Sequence, residues 1–160
     1  MKSSAIGTLH RNLLTAGTPR HGTPWWQPHF LHMVSDFEVA ELRQALLRGA
    51  IPLDFEDKLN HLAKGDIVQR YVAKQCADFI GLLFAAHDGG FRKASQADLE
   101  RLLKVLAYVR KNEDAIPDYR SDGLVDDQQE VRAVLTELGP LLHSFKAWHL
   151  CHQVPSLWGN

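Results

Sequence analysis

The helical spacing of the apolar residues limits the fold of this chain more than any other feature. From Asp66 to Phe84, and again from Ser95 to Asn112, apolar residues recur every three or four positions, which places them on one face of a helix. No segment alternates apolar and polar residues with the period of two that is typical of a half-buried strand. The pattern therefore predicts an all-α protein, a single-domain bundle of five to six helices.

Capping signals predict where these helices begin. Ser35-x-x-Glu38 is a capping box, and Ser95-x-x-Asp98 and Asp66 are expected to cap two later helices. We expect a short helix over residues 54–64 between the first and the longest helix. The predicted apolar face of the first helix comprises Phe37, Leu42, Ala45 and Leu46, and the predicted apolar face of the longest helix begins at Ile67.

The last helical pattern runs from about residue 126 to residue 152 and contains Gly139 and Pro140. A proline inside a helix removes a backbone hydrogen bond and clashes one turn back, so we expect a kink there or two consecutive helices. The apolar stripe of this segment is nearly unbroken: Val131, Val134, Leu135, Leu138, Leu141, Leu142, Phe145 and Trp148.

Residues 1–24 differ from the rest of the chain because they are rich in Gly, Ser, Thr and Pro and show little periodicity. This composition predicts a flexible N-terminal arm, followed by a helical domain over residues 25–160. An aromatic clump that includes Trp25, Trp26 and Phe30 joins the two. Such a clump either packs the arm onto the core or forms an exposed contact site for a partner.

Charge and cysteine content restrict the partners and the location of the protein. The formal net charge is −1, from 18 basic and 19 acidic residues, which argues against strong sequence-independent binding of nucleic acid. Two widely separated cysteines, Cys76 and Cys151, make no disulfide framework, and Cys76 is expected to be a small buried hydrophobe. The sequence shows neither a signal peptide nor a transmembrane segment, so we expect a cytoplasmic protein.

The most informative segment is an acidic turn between two strongly amphipathic helices. It contains Asp114, Pro117 and Asp118, then Gly123 and the pair Asp126-Asp127. Such a group of carboxylates could bind a hard divalent cation such as Mg²⁺ or Ca²⁺, although the spacing does not match an EF-hand. The alternative is a structural role. Carboxylates in the first turn of a helix accept hydrogen bonds from backbone N–H groups, and the helix dipole stabilises their negative charge.

These positions also resemble a known family. Ala107-Tyr108, Asp114-Ala-Ile-Pro-Asp118 and Gly123-Leu-Val-Asp-Asp127 resemble the core of the YkvA-like family, the DUF1232 domains, over about residues 80–138. The resemblance implies a helical hairpin around a polar turn. It implies no established biochemical activity, and therefore no catalytic residues.

Histidines are weaker candidates for a metal site. His29-x-x-His32 and the pair His149 and His152 each place two imidazoles on one helix face, and two such pairs together could bind zinc. The alternative for His149 and His152 is that they extend the aromatic stripe of the last helix. No Cys-x-x-Cys or His-Glu-x-x-His motif accompanies them.

The sequence favours a non-enzymatic helical interaction or accessory protein with no cofactor. Its partner would be another protein or a second copy of the chain, and the candidate contact residues are Trp25, Trp26, Trp148 and Trp158, since buried tryptophans dominate contact energies. The rival hypothesis is a metal-binding module or metal-dependent enzyme that uses a divalent cation held by the acidic turn.

Overall fold

The computed structural model describes residues 33–112 and 123–153, with the side chain of residue 153 excepted, and these residues form six helices and no strand. The all-α prediction is therefore confirmed. In chain order the helices are α1 (Asp36–Leu47), α2 (Leu53–Leu62), α3 (Ile67–His87), α4 (Gln96–Arg110), α5 (Val125–Glu137) and α6 (Gly139–Gln153). The predicted arm over residues 1–24 lies outside the described residues.

The predicted helix starts are confirmed by complete capping boxes. In α1 the Glu38 amide donates to the Ser35 hydroxyl, while the Glu38 carboxylate accepts from the Ser35 amide. Asp66 and Gln69 form the same reciprocal pair of hydrogen bonds at the start of α3, and Ser95 and Asp98 form it at the start of α4. Each box satisfies amides that a helix start leaves without a partner inside the helix.

The expected break at Pro140 is also confirmed. α5 ends at Glu137 and α6 begins at Gly139, so the last apolar stripe is divided between two helices. Leu138 joins them and is itself buried. A proline one residue into a helix costs no hydrogen bond, because the first turn has no partners for its amides.

α3 is the central helix and packs against α1, α2, α4 and α5, while α6 packs against α5. Its buried face includes Val72, Cys76, Phe79 and Ile80, which confirms the predicted burial of the cysteine. Two predicted core positions are wrong: Phe37 and Ile67 are each 77% exposed. Both lie in the first turn of a helix, where few neighbouring elements are close enough to cover a side chain.

The end of α4 is the main polar junction of the bundle. Arg110 binds Asp54 of α2 in bidentate fashion, at 2.7 and 3.1 Å, and also reaches Glu41 of α1 at 3.2 Å. Lys111 pairs with Glu38 at 3.2 Å. These contacts hold three helices together just before residues 113–122.

Candidate functional site

Only part of the predicted acidic turn lies in the described structure. Gly123, Asp126 and Asp127 are described and buried, whereas Asp114, Pro117 and Asp118 lie outside the described residues. The structure therefore describes the α5 side of the acidic turn. The two carboxylates there stand in the first turn of α5, where the helix dipole favours a negative charge, as predicted.

Neither of these carboxylates is the N-cap residue of α5. Leu124 occupies the N-cap position and makes no side-chain capping hydrogen bond. Asp126 and Asp127 follow inside the first turn and have no exposed surface, so their side chains belong to the interior of the bundle.

A third carboxylate, Glu130, is equally buried and was missed in the sequence. Residues 126, 127 and 130 lie within about one turn of α5, so the three carboxylates share a helix face with the apolar residues Val131 and Val134. The signal was present: Asp127 and Glu130 continue the apolar stripe of α5 in the N-terminal direction. We refer to Asp126, Asp127 and Glu130 as the carboxylate cluster.

Tyr108 connects this cluster to α4. Its hydroxyl donates a 2.7 Å hydrogen bond to Oδ2 of Asp126, and the tyrosine is itself fully buried. Burying an ionised carboxylate costs several kcal/mol unless hydrogen bonds and charges compensate it. The bond thus stabilises a group that would otherwise disfavour folding, and it fixes the register of α5 against α4.

Two opposite charges act on the buried thiol beside the cluster. Burial raises the pKa of the Cys76 thiol, the nearby charge of Asp127 raises it further, and the ammonium of Lys58 opposes them. Lys58 also donates a hydrogen bond to the carbonyl of Lys111. Lys58 on α2, Cys76 on α3 and Asp127 on α5 therefore interact electrostatically inside an apolar bundle.

Burial limits the chemistry that Cys76 and the carboxylate cluster can perform. The thiol of Cys76 stays protonated at neutral pH, and a protonated thiol is a poor nucleophile. The carboxylates of the cluster have no surface that a solvent-borne substrate could touch. Among the residues that the structure describes, no group of three or more His, Cys, Asp or Glu side chains could hold a metal ion.

The C-terminal candidates form an aromatic ladder on α6. The ring of Trp148 packs against Phe91 and Phe145 and stacks on His152, with centroids 4.3 Å apart in the last case. Nδ1 of His152 lies 2.7 Å from the Trp148 carbonyl, which can only accept, so that nitrogen carries the proton. His149 lies against Phe145, so both histidines extend the aromatic stripe. Trp25, Trp26, Trp158 and the His29–His32 pair lie outside the described residues.

A groove with mainly apolar walls lies between α1, α3 and α4. A cavity of about 290 Å³ is lined mainly by Leu46, Leu47, Leu83, Leu99 and Leu103, with Arg43, His87 and Gln96 at polar positions. A neighbouring depression of about 470 Å³ shares Leu46, Leu47 and His87 with it. We call the two together the α1/α3/α4 groove.

Two helix ends form one wall of this groove. α1 and α3 both terminate there, and each is followed by a glycine with positive φ, Gly49 at 73° and Gly89 at 74°. After α1 the amides of Gly49 and Ala50 donate to the carbonyls of Leu46 and Ala45, a Schellman motif that fixes the end of the helix. The Schellman motif thus fixes the backbone of α1 at this wall of the groove.

Within the parts of the chain that the structure describes, no helix is both long enough and apolar enough to cross a membrane. Comparison with models of protein families, with curated proteins and with solved structures finds no match to this chain. The resemblance to the YkvA-like family therefore stays a prediction that rests on the quoted residues alone.

Proposed function

We propose that this chain is a non-enzymatic helical interaction module that binds a segment of another protein in the α1/α3/α4 groove. The observation that supports the proposal is the groove itself, whose floor consists of leucines from three helices. Its volume of about 290 Å³ lies at the lower end of small-molecule sites, which span roughly 300–1,000 Å³. A groove of this size fits one or two anchoring side chains better than a whole metabolite.

The energetics favour a large apolar anchor as the bound group. An aromatic side chain buries roughly 150–250 Å², which at about 25 cal/mol per Å² corresponds to about 4–6 kcal/mol before the costs of association. An exposed ion pair contributes about 1 kcal/mol or less. The polar groups at the groove, such as Gln96 and His87, would orient the partner backbone without supplying most of the affinity.

In this proposal the carboxylate cluster has an architectural role. It ties α5 to α4 through Tyr108, and its burial removes it from any partner surface. The cluster lies shortly after residues 113–122, so its contacts hold the C-terminal end of the acidic turn in place. The stability of the module then depends on the cluster, while its binding depends on the groove.

A peptide-library selection tests the binding proposal directly. Random peptides are selected on the wild-type chain and counter-selected on Leu47→Glu, which places a charge in the groove at a side chain that is already 44% exposed. Ile67→Glu, at a position that is 77% exposed on the first turn of α3, is the matched control. We expect peptides with aromatic or leucine anchors that bind the wild type and the control but not the groove variant. Failure to recover any peptide that discriminates the two surfaces would refute the proposal.

The rival proposal is a cation site. Three fully buried carboxylates on one face of α5 support it, and such a site would need further ligands from the acidic turn, where Asp114 and Asp118 lie. A thermal-shift series with Mg²⁺, Mn²⁺, Ca²⁺ and Zn²⁺ tests it, because a ligand that binds only the native state raises the melting temperature. A shift that disappears in Asp118→Asn would favour the cation site. The cytoplasmic location remains a prediction in either case.

A further inference from the structure

We infer that a second copy of this chain covers the α1/α3/α4 groove in the free protein, in a two-fold symmetric pair. Leu47 of each protomer enters the other groove, and Arg48 of each protomer pairs with the partner subunit's Asp88. The inference rests on the proposed function, because the second copy and the external partner compete for one surface.

The surface offers both an exposed apolar side chain and a cavity that can accept one. Leu47 lines the cavity and the neighbouring depression and is 44% exposed, which makes it the most exposed leucine of the groove. A two-fold operation brings the same patch of both chains face to face, so each contact between two different residues occurs twice. A pair of chains in this arrangement buries both Leu47 side chains.

The charges of the groove come in both signs. Four charged or titratable side chains line it: Arg43, Arg48, His87 and Asp88. Arg43 is already paired with Glu100 of α4. Arg48 and Asp88 are both exposed, and neither forms an ion pair with any residue that the structure describes. The helix ends also contribute both signs, because the carboxyl ends of α1 and α3 meet the amino end of α4 here.

The two unpaired charges favour a second copy as the occupant. A partner segment with charges of one sign would pair with either Arg48 or Asp88 and be repelled by the other. A second copy rotated by 180° presents the same two charges in reverse order, so each guanidinium meets a carboxylate. Both unpaired charges of each protomer are then compensated.

The size of the groove sets the strength of the pair. The groove accepts one or two side chains from each protomer, far fewer than the roughly 20–30 residues on each side of a standard interface. We therefore expect a weak pair whose population depends on protein concentration. Such a pair protects the apolar groove and still allows a partner segment to displace it.

A charge-exchange experiment on the full-length chain tests the symmetric contact. Sedimentation is measured over a concentration series for the wild type, Arg48→Asp and Asp88→Arg. Each substitution turns both ion pairs of the dimer into like-charge contacts, so we expect association to weaken at least tenfold. Arg70→Asp, at an exposed position about 25 Å from His87 along α3, is the control and should associate like the wild type. Circular dichroism checks that each variant is folded.

The decisive sample is an equimolar mixture of Arg48→Asp and Asp88→Arg. A mixed pair keeps one native contact and one contact with its charges exchanged, so we expect association to return to within about threefold of the wild type. A monomeric wild type, a dimer that both variants leave intact, or a mixture that associates no better than the separate variants would overturn the inference.

A peptide titration separates this inference from the proposed function. A groove-selected peptide is added to the wild type at a concentration where the dimer predominates, and we expect it to convert the dimer into peptide-bound monomer. Peptide bound to an intact dimer overturns the inference and leaves the groove as a binding site. If selection recovers no groove peptide, the proposed function is refuted, and the charge-exchange result still decides the inference.

Discussion

The hydrogen bond between Tyr108 and Asp126 offers the sharpest test of the architectural role of the carboxylate cluster. Both residues are fully buried and the bond is 2.7 Å long. Tyr108→Phe keeps the ring and removes only the hydroxyl, so the loss includes the hydrogen bond that this hydroxyl donates to the carboxylate of Asp126. Such bonds contribute about 1.5–3 kcal/mol, and we expect the free energy of unfolding to fall by that amount. For a chain of this size the melting temperature would fall by roughly 3–12 °C.

A double-mutant cycle isolates the contribution of charge. Asp126→Asn keeps an oxygen that can accept from Tyr108, but the bond becomes a neutral one that contributes about 0.5–1.5 kcal/mol. We therefore expect Tyr108→Phe to cost about 1 kcal/mol less in the Asp126→Asn background than in the wild type. Urea unfolding followed by circular dichroism provides the free energies, and an unchanged m-value shows that the same transition is compared.

The matched control is Tyr71→Phe. Tyr71 is half-buried, and the guanidinium of Arg132 lies over its ring, 5.7 Å from the centroid. Phenylalanine keeps that ring, so we expect a change within about 0.5 kcal/mol. If Tyr108→Phe were as mild as this control, the buried bond would not stabilise the fold and the architectural reasoning would be refuted.

Three further predictions concern the rest of the bundle. Hydrogen bonds from Arg110 hold the pKa of the Asp54 carboxyl below its usual range, so this pair stabilises the fold above about pH 4 and the contribution disappears as the pH falls through the lowered pKa. Between neutral pH and about pH 3, the free energy of unfolding measured with urea should therefore fall by up to about 1 kcal/mol less in Asp54→Asn than in the wild type. An equal fall in both proteins would show that the Arg110–Asp54 pair does not stabilise the fold. A thiol reagent should modify the exposed Cys151 in the native protein and the buried Cys76 only after denaturation. The native Cys151→Ala variant should therefore remain unmodified. Rapid labelling of this variant would show that the reagent reaches Cys76 in the folded core. Gly81→Ala should raise the free energy of unfolding by about 0.5–1 kcal/mol, because alanine favours a helix more than glycine does. The new Cβ would lie 3.6 Å from Cζ of Phe145, an ordinary contact. A decrease in the free energy measured by urea unfolding would mean that α6 packs closer to α3 than described.

The helices were predictable because their signals are local. A capping box such as Ser35-x-x-Glu38 needs only four residues, and the break at Pro140 follows from the missing amide of proline. Burial was less predictable at helix starts. Phe37 and Ile67 fit the apolar period, but their exposure depends on which other elements extend far enough to cover them.

The candidate site was only partly predictable for the same reason. The Asp126-Asp127 pair was identified from its position, yet its burial depends on α4, which is distant in the sequence. Tyr108 and Glu130 gain their roles only when α4 and α5 pack, because the hydrogen bond between Tyr108 and Asp126 joins positions 18 residues apart. The groove could not be predicted from the sequence, because its leucines come from three separate helices and fit the same apolar pattern as core residues.

The most direct test of the central claim is an amide chemical-shift titration of the ¹⁵N-labelled chain with a groove-selected peptide. We predict saturable shifts confined to residues 43–49, 83–88 and 96–103, which are absent in Leu47→Glu and retained in Ile67→Glu. Saturable shifts concentrated on α6, or on the surface of α2, would show that the protein binds its partner through another face and would contradict the account.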